Sequence, residues 1–191
     1  MISIPTQRYE KHFSANKSRL IAGVDEVGRG AWAGPLVAAA VIMPLKPRLY
    51  GVRDSKQLSP KRRVRLAEKI KRHAIAWAIW TIPSTEIDAI GIVRANMDAM
   101  IRAVMALSIR ADHVLVDSFT IYGLPISHTA IPHGDAHIYS IAAASIVAKV
   151  FRDALMDQEH ERFPLFHFST NKGYGTPEHA TALQQHGMTP L

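Results

Sequence analysis

Apolar positions along this chain fall into short blocks, and their period changes from continuous to alternating to helical. Leu20 to Val24 is an unbroken apolar run, the form taken by a strand buried on both faces. Leu36 to Met43 is a second such run, held between Gly34-Pro35 and Pro44. Across His73 to Ile82, Ile75, Trp77 and Ile79 alternate with small alanines, which predicts a third strand. Ahead of it, Ser59-Pro60 opens a helix reaching about Arg72, with an N-cap serine and proline at the first helical position. Val64, Leu66, Ala67 and Ile70 are its expected buried face, and its many Lys and Arg a solvated or nucleic-acid-facing one. Pro83-Ser84-Thr85-Glu86 caps a short helix ending near Gly91. From Ile92 onward Val93, Met97, Met100, Ile101, Val104 and Leu107 recur at helical spacing. His113 to Val116 is a strand that ends in Asp117, and Thr129 to Ile131 adds a brief one. Ile138 to about Arg162 predicts a helix with a small-residue face at Ala142, Ala143, Ala144, Ser145 and Ala148. Phe166 to Gly175 reads as an aromatic loop and Pro177 to His186 as a terminal helix. Strands and helices interleave, which predicts one mixed α/β sheet covered by helices.

Acids break this pattern where packing gives no reason for them. Asp25 and Glu26 follow directly on the first apolar run, and Gly28-Arg29-Gly30 comes next. Burying an unpaired carboxylate costs several kcal/mol. Hydrogen bonds from the following turn account for one acid, as is common for Asp. An adjacent pair calls for a cation or strong donors. Asp117 and Asp135 are expected at comparable strand ends, where open α/β sheets gather function. An all-oxygen set without Cys or close-spaced His suits Mg²⁺ or Mn²⁺. Two such ions about 4 Å apart would hold the attacking water and the leaving oxygen of a phosphodiester.

Composition narrows the partner. The chain has 191 residues, enough for one domain with a sizeable core. Its 23 Lys and Arg against 16 Asp and Glu leave a net charge of +7. That balance favours nucleic acid first and an anionic membrane surface second. With no cysteine, disulfides, thiolate zinc sites and cysteine nucleophiles are excluded. Met1 to Lys17 is polar and lacks the apolar stretch of a signal peptide. Ala31 to Leu45, the most apolar run, is broken by Gly34, Pro35 and Pro44, and is shorter than the roughly 20 residues that span a bilayer. A soluble, cytoplasmic protein is expected. Gly28-x-Gly30-x-x-x-Gly34, with Asp54 about 20 residues on, approaches a dinucleotide fingerprint. Its spacing is one residue too long, and Pro35 and Pro44 leave little room for the required helix. His128, His133 and His137 straddle a loop without Cys support, and Ser118 and Ser145 lack a His–acid partner.

Several motifs follow one another in a recognisable order. They are Gly23-Val24-Asp25-Glu26-Val27-Gly28-Arg29-Gly30 with Ala33-Gly34-Pro35, then Asp54-Ser55-Lys56-Gln57-Leu58-Ser59, Val116-Asp117 and Gly134-Asp135. Ala143-Ala144-Ser145-Ile146-Val147-Ala148-Lys149-Val150 with Arg152-Asp153 comes next, and Lys172-Gly173-Tyr174-Gly175-Thr176 with His179 closes the series. Together they resemble bacterial ribonuclease HII. The resemblance runs from Ile21 to His186, leaving residues 1–19 outside and 20–191 as a single catalytic domain. It implies the ribonuclease H-like fold, an α/β architecture with a mixed central sheet flanked by helices and a C-terminal helical segment. It also implies an endoribonuclease that hydrolyses the RNA strand of RNA–DNA hybrids and incises DNA 5′ of embedded ribonucleotides, leaving 3′-hydroxyl and 5′-phosphate ends.

Carried over position by position, the resemblance makes Asp25, Glu26, Asp117 and Asp135 the ligands of two divalent ions, Mg²⁺ or Mn²⁺. Gly28, Arg29 and Gly30 would hold the ribose 2′-hydroxyl, and Tyr174 would stack on the sugar at the RNA-to-DNA junction. Lys56, Lys149 and Lys172 would meet phosphates. The 2′-hydroxyl is what distinguishes RNA from DNA at one nucleotide, and glycines let backbone N–H groups approach it. The implied partners are RNA–DNA hybrids and ribonucleotide-containing duplex DNA, engaged by a monomer with no membrane. Four positions depart from the family's usual residues. Ser118 stands for Gly, His133 for Lys, and Ala31-Trp32 for Pro-Leu. Ribonuclease HIII shares the acids but is expected to carry an N-terminal substrate-binding domain, for which the 20 residues before the first strand leave no room. A silent nucleic-acid-binding protein accounts for the charge but not for the four acids.

Overall fold

The computed structural model describes residues 4–14 and 19–191; residues 1–3 and 15–18, including Lys17 of the polar opening segment, lie outside that description. In chain order the elements are α1 (Arg8–Ser14), β1 (Ile21–Val27), β2 (Leu36–Ile42), a 3₁₀ turn (Ser55–Gln57), α2 (Pro60–His73), β3 (Ala76–Ile82), α3 (Ser84–Ile90) and α4 (Ile92–Met105). There follow β4 (His113–Asp117), β5 (His128–Ile131), α5 (Gly134–His137), α6 (Tyr139–Arg162), a second 3₁₀ turn (Pro164–Phe166), α7 (Phe168–Asn171) and α8 (Pro177–His186).

The strands form one mixed sheet in the order β3-β2-β1-β4-β5. β2 is antiparallel to both β1 and β3, whereas β4 runs parallel to β1 and β5 parallel to β4. β2 is buried along its whole length, as its continuous apolar run requires. One face of the sheet packs Ala22, Val24, Leu36, Ala38 and Ala40 beneath Ala95, Ala99 and Met100 of α4. The other packs Val37, Ala39 and Val41 against Leu66, Ala67 and Ile70 of α2 and the alanines of α6. α6 lies hard against β1 at Gly23, where an added Cβ would collide with the backbone of Ser140 and Ile141. The register Val24↔Val116 carries Asp25 and Asp117 to the same level one residue later.

Residues 4–14 are tied into this scaffold. Thr6 bridges Ile138 in parallel fashion, with its N–H donating to His137 O (2.8 Å) and its carbonyl accepting from Tyr139 N (3.0 Å). Glu10, 3% exposed, accepts hydrogen bonds at Oε1 from the N–H (2.9 Å) and hydroxyl (2.8 Å) of Ser140. Ser140 lies in the first turn of α6, so a side chain from α1 satisfies an N–H that the helix leaves unpaired.

Several sequence expectations need correction. β1 does not stop before its acids but continues through Val27. Val64 is 45% exposed, while Arg63 turns inward to an ion pair with Asp153 at 3.7 Å. Ser59 makes no capping side-chain hydrogen bond. The aromatic loop from Phe166 contains α7. After Gly34 the chain enters β2, which removes the dinucleotide reading. In β3 the alanines pack inward and the tryptophans look out: Trp77 carries Lys71 Nζ 4.7 Å from its ring centre, and Trp80 carries Arg102 at 5.8 Å. No helix among the described residues is long and apolar enough to cross a membrane.

Glu10→Ala is expected to lower unfolding free energy by about 1–3 kcal/mol, because it strands two buried donors of Ser140. Glu10→Gln, which keeps an acceptor, is expected to lose less. Urea titration measures both, and an unshifted midpoint for Glu10→Ala would show that α1 contributes nothing to the fold.

Candidate active site

A cavity of about 420 Å³ opens where β1 and β4 end, lined by Asp25, Glu26, Gly28, Arg29, Gly30, Ser55, Lys56, Asp117, Asp135, Ser145, Lys149 and Tyr174. Strand alternation decides how the first two acids enter it. Gly23 abuts α6, so Asp25 faces α6 as well and takes a hydrogen bond from Ser145. Glu26 leaves the opposite face, and its N–H donates to Asp25 Oδ1 at 2.8 Å. Asp117 is the last residue of β4. Its Oδ1 accepts from the N–H groups of Gly134 (2.6 Å) and Asp135 (3.4 Å), and its Oδ2 from the Ser118 hydroxyl (2.9 Å). Asp135 was expected at a strand end but sits in the first turn of the short α5. It pairs with Lys56 at 3.6 Å.

The electrostatics are those of a site short of positive charge. Asp25 is 5% exposed; burial first, then Glu26 and Asp117, hold its carboxyl well above the usual range. Burial and Asp117 push Glu26 up to about 7 against the pull of Arg29 and Lys56. Asp135 is raised by burial and by Asp117. Burial opposes the charge of Lys56, but Asp135, Asp54 and Asp25 outweigh it and raise the ammonium above its ordinary value. Glu26 Oε2 is buried without a hydrogen-bond partner among the described residues. An orphaned carboxylate oxygen beside three mutually repelling acids fits a hard divalent cation, which needs oxygen donors. Among the described residues no three carboxylate or imidazole groups already form a cage for one ion. The reason is visible in their partners, since Asp117 is turned to α5, Asp135 to Lys56, and Asp25 and Glu26 leave opposite faces of β1.

The substrate-side residues divide. Arg29 lies 5.5 Å from the Phe119 ring centre. Ala31 bridges Tyr174, which ties the Gly-Arg-Gly turn to the loop after α7. Lys149 donates to Asp153 Oδ1 at 2.6 Å and sits 5.7 Å from the Tyr174 ring centre; burial pushes its ammonium down more than Asp153 restores it. Lys172 does not line this cavity. It faces Asp157 and the Asp153 carbonyl. Ser118 and His133, two of the departures, have φ of 65° and 53°, a left-handed backbone that costs a residue with Cβ roughly 1 kcal/mol. At Ser118 the glycine usual for the family meets no such cost.

Sequence reasoning missed Ser55 and Ser145. Their hydroxyls are 3.1 Å apart and both residues are buried, linking the Lys56 loop to Asp25 through α6. Ser145 enters the sequence reading on the small-residue face of the helix, within the family motif and as a serine without a His–acid partner; a hydroxyl among alanines on a buried face was the available signal. Phe119 and Arg152 gave no signal of their roles.

The profile of the ribonuclease HII family matches residues 22–191. The chain belongs to that family. The ribonuclease HII of Oceanobacillus iheyensis is 48% identical over 187 residues, 98% of this chain and 72% of the relative. The crystal structure of ribonuclease H2 from Pyrococcus horikoshii aligns with a TM-score of 0.77 at 28% identity, over 89% of this chain and 90% of that one. Bst-RNase HIII, solved in complex with Mn²⁺, shares the fold at a TM-score of 0.65 and 20% identity, over 89% of this chain and 63% of that one. The sheet and helices therefore form the ribonuclease H fold expected above.

Glu26 sets a pH dependence. Its carboxyl holds a proton up to about 7 in the fold but releases it near 4.5 when exposed. Its contribution to metal-free stability is thus complete below about 4.5 and lost as pH rises through about 7. Melting temperature in chelator is expected to fall across that window, and Mn²⁺ is expected to restore it most at the alkaline end, where the ligand is free of protons. A flat profile in chelator would mean Glu26 is not held in a desolvated site.

Proposed function

We propose that this pocket hydrolyses the RNA strand of RNA–DNA hybrids and incises DNA on the 5′ side of embedded ribonucleotides. The products would carry 3′-hydroxyl and 5′-phosphate ends. The observation that carries this reading is one cavity enclosing four acids, a Gly-Arg-Gly turn and Tyr174. Family membership supports the reaction class. The ribonuclease H family is divalent-metal dependent, and the oxygen donors here fit Mg²⁺ or Mn²⁺. Asp25, Glu26, Asp117 and Asp135 are the residues that would hold two ions. When bound, these supply Lewis acidity and a water poised for attack.

The chain's own residues supply the selection. Gly28 and Gly30 leave backbone N–H groups open to a 2′-hydroxyl, and Arg29 is braced by Phe119. Tyr174 presents a ring against which a deoxyribose fits and a hydroxyl-bearing sugar does not. Lys56, 81% exposed at its side chain, is free to exchange Asp135 for a phosphate once a cation neutralises that acid. Lys149 has less freedom, because Asp153 already holds it. A monomeric, cytoplasmic enzyme is part of the same reading. A silent binding protein would have no use for the unpartnered Glu26 oxygen.

A duplex carrying one ribonucleotide, assayed with Mg²⁺, Mn²⁺ and chelator, is expected to be nicked 5′ of the ribonucleotide only with metal. Absence of incision under every metal overturns the reading. Asp135→Asn is expected to lower kcat by about 100-fold or more, and a full-rate variant removes Asp135 from the machinery. Gly30 has nothing within 4 Å of an added Cβ, so Gly30→Leu is expected to fold normally yet lose discrimination between the ribonucleotide duplex and all-DNA duplex. Unchanged discrimination in that variant would separate the turn from ribose reading.

A further inference from the structure

Arg152 is among the largest fully buried side chains of the described residues, at 0% exposure. Its guanidinium meets no carboxylate among the described residues. Nε donates to Pro35 O (2.8 Å), Nη2 to Ala33 O (3.1 Å) and Nη1 to Lys172 O (2.8 Å). The first two carbonyls lie in the segment that leads from the Gly-Arg-Gly turn into β2; the third lies two residues before Tyr174. The guanidinium carbon is also 5.4 Å from the Tyr174 ring centre. One side chain therefore reaches both segments that the proposed function assigns to sugar reading.

The surroundings are cut to fit it. Gly28 has φ of 100°, and a Cβ there would stand 2.5 Å from Arg152 Nε and 2.8 Å from Pro35 O. The backbones of the two segments are also stitched directly, with Trp32 N–H donating to Gly173 O (2.8 Å) and Ala33 N–H to the same oxygen (3.2 Å). His179, fully buried in α8, closes the far side with Nδ1 3.0 Å from Tyr174 O. A desolvated cation held only by neutral carbonyls is costly, and an apolar residue of similar volume would fill the space without that cost. Packing alone does not call for an arginine. A planar fork that fixes three carbonyls in one geometry does.

We infer that Arg152 is a positioning residue that locks the 2′-hydroxyl-reading turn to the Tyr174 loop, so that the ribose and the neighbouring deoxyribose are read as one unit. The inference rests on the reading of Tyr174 given above. It assigns Arg152 no contact with substrate. Its effect is carried by Tyr174, and so falls on substrates with a deoxyribose beside the cut. A uniform RNA strand in a hybrid offers none.

The test compares kcat/KM on a DNA duplex with one ribonucleotide and on a uniform RNA–DNA hybrid, for wild type, Arg152→Lys, Tyr174→Ala and the double variant. Lysine keeps the charge but cannot fork. Arg152→Lys is expected to cut the single-ribonucleotide rate about tenfold more than the uniform-hybrid rate, the order of loss that a small misplacement produces. The double variant is expected to match Tyr174→Ala alone in that ratio. Equal losses on both substrates, or additive effects in the double variant, overturn the inference. If Tyr174→Ala itself leaves the ratio unchanged, the reading of Tyr174 fails and the inference falls with it, a result distinct from failure of Arg152→Lys alone. Should Arg152→Lys not fold, NMR of the Arg152 Nε–H in the wild-type enzyme tests the same lock. A slowly exchanging proton whose shift moves in Tyr174→Ala supports it, and a rapidly exchanging one overturns it.

Discussion

Everything in this molecule depends on how closely α6 lies on β1. Gly23 has no Cβ, so the backbone of Ser140 rests on the strand itself. From that contact the two elements advance together, a strand by about 3.3 Å per residue and a helix by about 1.5 Å. Two strand residues beyond Gly23 lies Asp25; five helical residues beyond Ser140 lies Ser145, its hydrogen-bond partner. By Gly28 the helix has reached Arg152, and the two side by side fix the turn. The buried acid and the Gly-Arg-Gly turn of the pocket are thus spaced by a single helix–strand register. Glu10 holds the start of that register from α1.

A second constraint is electrostatic. The fold brings four acids to one cavity in a protein whose net charge is +7. Every local cation there is engaged elsewhere or only loosely present: Arg29 leans on Phe119, Lys149 is held by Asp153, and Lys56 stands mostly in solvent. The carboxylates answer by turning to backbone N–H groups and by holding protons. Divalent charge would change both responses at once, which is why the arrangement of ligands and the protonation of Glu26 belong to one equilibrium.

Much of the fold was legible because burial writes itself into periodicity. The all-apolar β2, the alternation in β3 and the helical spacing of α4 appear where expected. Where amphipathic side chains intervene the pattern misleads, as at Arg63 and Val64, because an arginine can bury its stem and pair its head with Asp153. The acids were legible as a cost without a packing reason. Their relation to one another was not, because strand alternation separates Asp25 from Glu26 and the left-handed His133 starts the turn that returns Asp135 to Asp117. Arg152 was hidden for a different reason. A buried cation bonded to backbone carbonyls leaves no complementary side chain in the sequence to betray it. Lys172 shows the converse, a basic residue in a recognisable motif whose nearest acid, Asp157, was invisible without the packing of α6.

β3 forms one edge of the sheet and carries two partly exposed tryptophans. A long apolar edge with free backbone groups invites strand-on-strand pairing between copies. Here Lys71 lies over the ring of Trp77 and Arg102, which also pairs with Glu86 at 3.2 Å, over that of Trp80. The excess of cations in the composition is thus used at this edge to cover indole with long aliphatic stems and charged heads.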